Sequence, residues 1–102
     1  MIDIYIYCGY NKYMEITFDP NKDEINKTKH GVSLADAACL EWDSVLVWID
    51  DRKEYGEQRQ SGLGMINDRV YFVAFVDRDD GRRIISFRKA NFRETKYYES
   101  QT

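Results

Sequence analysis

Proline occurs once in this chain of 102 residues, histidine once and cysteine twice. The single proline leaves no room for a Pro/Gly linker, and the length suits one domain with one modest core. Two cysteines, Cys8 and Cys39, are too few for a disulfide framework and lack the spacing and histidine partners of a zinc site. They read as ordinary semi-buried thiols, for which a reducing cytoplasm fits. No apolar run approaches the roughly 20 residues of a membrane span, so no membrane partner is expected. The opening Met1 to Tyr7 lacks a basic start and carries Asp3, which makes a poor signal peptide. A Gly-rich phosphate loop, a metal-binding His/Cys cluster and a nucleophile elbow are all missing. No cofactor is therefore expected, and an enzyme built on this chain is expected to work without a metal.

What the chain does have is uneven charge. The net charge is −3, yet Arg82 to Thr102 holds six Lys or Arg against two acids. Bulk charge would repel a phosphate backbone, whereas a local basic strip still steers anions. The hydrophobic fraction of 43% with eight tyrosines excludes a disordered chain.

Residues 2–7 alternate as a strand does, and Met14 to Phe18 is a second short strand. Asp19-Pro20 predicts a helix start, running to about Lys29 and stopping near Gly31. Ser33 with Asp36 predicts a capped second helix over Leu34 to Trp42. Val45-Leu46-Val47-Trp48-Ile49 reads as a buried strand. Glu57 to Met65, Val70 to Val76 and Arg83 to Arg88 read as a meander, with turns at Asn67-Asp68 and Asp79-Asp80-Gly81. Asn91 with Glu94 three residues on forms a capping box for a final helix. The expected fold is α+β: two N-terminal helices and a C-terminal helix on a mostly antiparallel sheet of about four to five strands. Residues 1–13 are expected to be an extension or added edge strand, and 14–102 one domain.

Strict alternation sends Arg83 and Arg88 to opposite faces of their strand unless a bulge intervenes. Both suit phosphate binding through the guanidinium fork, or they simply flank a buried strand. Arg59 reads first as a cross-strand ion-pair partner, and Arg69 is equally open. His30 either closes a helix or transfers a proton. Trp42, Trp48, Tyr71, Phe72, Phe75 and Phe87 read mostly as core, while Tyr97 near the basic strip could stack on a base.

The ordered set of Phe18-Asp19-Pro20-Asn21-Lys22, Lys29-His30-Gly31-Val32-Ser33, Gly56-Glu57-Gln58-Arg59, Asp68-Arg69 and Arg83-Ile84-Ile85-Ser86-Phe87-Arg88 resembles the BrnT toxins of bacterial type II toxin–antitoxin systems. Phe18 stands where tryptophan is common in that family. The resemblance implies a RelE-like ribonuclease acting on RNA. It also implies neutralisation by a BrnA-type antitoxin, through which alone DNA would be contacted. For metal-free cleavage, Arg83 and Arg88 would hold the scissile phosphate with Arg59 as a second clamp. His30 would be the acid or base, with Glu57 a weaker choice. Lys29, Glu57, Arg69, Lys89, Arg93 and Tyr97 would contact the flanking strand. The rival reading is a non-catalytic module that binds a partner and co-represses DNA with it.

Overall fold

The computed structural model describes residues 4–6, 15–52, 54 and 56–102; Cys8 and Met14 lie outside them. The elements are β1 (Ile4–Ile6), β2 (Ile16–Phe18), α1 (Pro20–His30), β3 (Leu46–Asp50), β4 (Arg59–Ile66), β5 (Arg69–Arg78), β6 (Gly81–Lys89) and α2 (Phe92–Gln101). Two short 3₁₀ segments, Leu34–Cys39 and Trp42–Ser44, join α1 to β3. Six strands form one mixed sheet in the order β1-β2-β6-β5-β4-β3, with β1 antiparallel to β2 at the outer edge. β2 runs parallel to β6, and the other neighbours are antiparallel. The α+β class is as expected.

The helices differ from expectation at one place. α1 begins with the Asp19 carboxylate accepting from the Asn21 N–H and ends at Gly31, whose φ of 76° is left-handed. The second predicted helix, Leu34 to Trp42, is instead a 3₁₀ segment that ends at Cys39. Leu34, Ala37 and Leu40 are all fully buried. Their spacing of three is the 3₁₀ period, not the α period. The buried Asp23 carboxylate fixes the start of this segment, accepting from Ser33 Oγ at 2.9 Å and from the Leu34 N–H at 2.7 Å. There is thus one N-terminal α-helix, not two. Cys39 is disulfide-bonded, which corrects the reading of an ordinary thiol there.

One face of the sheet is sealed. Ile16, Phe18, Val73, Phe75, Ile84 and Phe87 pack there against Leu34, Ala37 and Ala38 of the 3₁₀ segment. α1 lies along the edge of β6 that β2 leaves open, because β2 pairs only with Arg82 and Arg83. Asn26 completes that edge: its Nδ2 donates to the Phe87 carbonyl at 2.7 Å, and its Oδ1 accepts from the Phe87 N–H at 3.3 Å. The side-chain amide stands in for a missing strand, satisfying backbone groups that burial would otherwise orphan.

The second face is only partly covered. α2 packs Tyr98 there against Leu63, Val70 and Ala90, and its Asn91–Glu94 capping box forms as predicted. β3 is the edge strand at the far side. Val47, Trp48 and Ile49 are exposed there, so the predicted buried strand is a half-open edge.

Candidate functional site

The site is made by an irregularity in β6. Ser86 pairs with Ala74, but Ile84 pairs with Phe75, leaving Ile85 as an extra residue. This is a β-bulge. It allows Ile84 and Phe87, three apart in sequence, to enter the same core. Their outer neighbours Arg83 and Arg88 consequently share the second face, which strict alternation would forbid. Arg59 joins them: Gln60 pairs with Phe75, so Arg59 comes level with Val76, whose partner on the other side is Arg83.

The adjacent Arg82 points to the sealed face. Its guanidinium lies 4.2 Å from the Phe75 ring centroid and 4.8 Å from that of Trp42. It also donates to both Asp77 oxygens, at 2.6 and 3.1 Å. Arg82 is thus a structural arginine, held by stacking and a forked ion pair.

Glu57 precedes β4. Its carboxyl is held below the ordinary glutamate range, first by the hydrogen bond from Arg78, then by the positive charges of Arg78, Arg83 and Arg59. Glu57, Arg59 and Arg83 therefore form one electrostatic cluster, with an acid poised as carboxylate among cations. Arg78 was not singled out in the sequence; it is the Glu57 partner at 2.8 Å.

Arg88 stands further along the same face. It lies over the Phe72 ring at 4.3 Å and donates to both Glu94 oxygens at 2.8 and 2.9 Å. Its charge is already matched, and it ties α2 to the sheet. His30 ends α1 and lines a cleft with Lys29, Asn26 and the bulge residues Ile85 and Ser86. Burial, followed by Lys29 and Arg88, pushes its pKa down, which favours neutral imidazole. Its electrostatic neighbours are thus Lys29 and Arg88, not Arg59 or Arg83.

Of the other predicted contacts, Arg69 and Lys89 lie at the opposite end of the sheet. Arg69 opens β5, where Ala90 N–H donates to the Val70 carbonyl, so Lys89 is close by. From Val76 back to Arg69 is about 23 Å of strand at roughly 3.3 Å per residue. Arg93 and Tyr97 of α2 line an apolar cleft of about 530 Å³ with Leu46, Val47, Trp48 and Leu63. A second cleft of about 290 Å³ runs beside it, lined by Trp48, Asp50, Ser61, Phe72, Arg88 and Glu94 among others. Trp48, which reads as core in the sequence, lines both. Among the described residues no three His, Cys, Asp or Glu side chains gather where they could hold a metal ion.

No curated protein matches the chain. A family profile described as "Ribonuclease toxin, BrnT, of type II toxin-antitoxin system" matches residues 18–94. That span contains the bulged strand, Arg59, Arg83, Arg88, Glu57 and His30. The chain belongs to the BrnT family of type II toxin–antitoxin ribonuclease toxins.

Proposed function

We propose that this chain is a metal-independent endoribonuclease that inhibits translation and growth and is neutralised by a BrnA-type antitoxin. In this reading DNA is met only through the antitoxin. The observation that carries it is the β6 bulge, which turns Arg83 onto the face that Arg59 occupies. Two guanidiniums separated by one intervening strand, roughly 10 Å from backbone to backbone, suit a phosphodiester between them.

Cleavage needs the 2′-oxygen to bond to phosphorus while the bond to the 5′-oxygen breaks. The 2′-proton must leave, a proton must reach the 5′-oxygen, and the phosphorane charge must be stabilised. Arg59 and Arg83 stabilise that charge; arginine does not give up its proton and is unsuited to base work. Glu57 accepts the 2′-proton, because reach comes before basicity in choosing a general base. The products are a 2′,3′-cyclic phosphate and a 5′-hydroxyl, the latter protonated from solvent at this open site. Lys29 and His30 at one edge, Arg93 beside β3, and Arg69 and Lys89 at the far end, hold the flanking strand. Arg88 positions α2 through Glu94 instead of binding the scissile group.

The test is cleavage of purified RNA in the presence of a chelator. Arg83→Ala and Glu57→Gln should abolish turnover in proteins that still melt cooperatively, whereas His30→Gln should retain it. Loss in His30→Gln with retention in Glu57→Gln moves the base to histidine. RNA binding without turnover in the unaltered protein favours the rival binding module.

A further inference from the structure

We propose that the Trp48 indole is a stacking platform for one base of the RNA strand; this rests on the ribonuclease reading. Trp48 is 42% exposed on an edge strand. Among the described residues no ring stacks on it and no guanidinium lies over it. Its place is set by register. Trp48 pairs with Ser61, Ser61 with Ala74, and Ala74 with Ser86, a row across the second face. The neighbouring row on that face runs from Asp50 through Arg59 to Val76 and Arg83. The indole therefore lies one row from the paired guanidiniums, on their side of the sheet.

The cleft beside it suits a base better than a phosphate. Two of its three acids are matched: the Asp50 carboxylate, only 2% exposed, is bound by Arg52 at 2.8 Å, and Glu94 is bound by Arg88, while Asp51 adds a third carboxylate. What remains is an aromatic wall, the Ser61 hydroxyl and carboxylate lone pairs that accept from base N–H groups. A neutral, flat, hydrogen-bonding heterocycle meets that lining, whereas a phosphate would face acids. Stacking on an aromatic side chain is also the usual way to hold an unpaired base.

The experiment uses a short 2′-O-methyl oligoribonucleotide, which binds without being cleaved, and follows tryptophan emission. Trp42 is shielded, with Phe75 edge-on at 5.5 Å and Arg82 over its ring, so the difference between unaltered protein and Trp48→Phe isolates the platform. Binding should quench Trp48. Trp48→Ala should weaken binding by about 5- to 150-fold, and Trp48→Tyr should restore most of it. Binding that leaves Trp48 emission unchanged, or Trp48→Ala binding as tightly as the unaltered protein, overturns the assignment. So does an absence of binding. If Trp48→Ala binds RNA normally but loses the antitoxin, the face belongs to a protein partner. Cleavage that survives in such a variant sinks the platform alone. A quenched Trp48 without cleavage sinks the ribonuclease reading and leaves the platform standing.

Discussion

The two faces of this sheet spend their arginines in opposite ways. On the sealed face Arg82 lies against the Phe75 and Trp42 rings and is forked to Asp77. On the second face its neighbour Arg83 sits level with Arg59 and within the field of Glu57. Both are only partly exposed, and they differ by one position in sequence. The pleat decides which face each one serves. The same rule separates Phe75 from Phe72: the first is fully buried, while the second underlies Arg88 and lines an open cleft. A strand can thus carry stability on one side and chemistry on the other, provided that its parity is kept or is broken deliberately.

Substitutions on the sealed face should give the largest change. Phe75→Ala leaves a cavity under the 3₁₀ segment and should cost about 3–5 kcal/mol in urea unfolding. A cost below about 1 kcal/mol would mean that this face is not the principal core. On the other face, Arg83→Ala should lower RNA cleavage by about 10²- to 10³-fold with an unchanged urea midpoint. Arg82→Ala should do the reverse, losing about 1–2 kcal/mol of stability while each folded molecule still cleaves at the unaltered rate. Equal inactivation by the two would erase the distinction between the faces.

How much of this was legible depended on whether the cause was local. The α1 start at Asp19-Pro20, the Gly31 stop and the Asn91–Glu94 box are chemistry within four residues, and all three form. The 3₁₀ segment carried its own signal, Leu34, Ala37 and Leu40 at spacing three, but Ser33 and the alanines suit either helix type. The bulge also left a trace. Ile84 and Phe87 cannot both enter one core under strict alternation, and that conflict marks where an extra residue enters. Trp48 left none: an apolar run reads the same in a central strand and at an edge, and edge position is a property of the whole topology. His30 was placed by its helix, while its distance from Arg59 and Arg83 depended on α1 lying beside β6. That placement rests on Asn26, sixty-one residues from Phe87.

Asn26 offers a smaller and sharper test of how the open edge of β6 is held. Asn26→Ala orphans the Phe87 N–H and carbonyl and should cost about 2 kcal/mol. Amide hydrogen exchange at Phe87 should accelerate more than at Val73, one strand away. Equal acceleration at both would show global loosening and remove the edge-completion role.

The smallest expected effect belongs to the second face's own ion pair. Arg88 holds the Glu94 carboxyl below its ordinary value of 4.5, chiefly through its two hydrogen bonds, with the Asn91 N–H adding to the effect. A depressed folded pKa contributes stability that is present above the unfolded value and is lost as pH falls through the folded one. The Glu94 side chain is 21% exposed and its partner 28%, so the pair is still reached by solvent, and screening should hold the contribution to about 1 kcal/mol. Glu94→Gln keeps an acceptor for the Asn91 N–H while removing the charge. The gap in urea midpoint between unaltered protein and Glu94→Gln should therefore be widest near neutral pH and close in acid below the ordinary glutamate value. A gap that persists unchanged into acid would mean that Glu94 acts through shape and capping alone. Arg88 would then no longer have its charge matched by Glu94, and it would become a further candidate for phosphate beside Arg83 and Arg59.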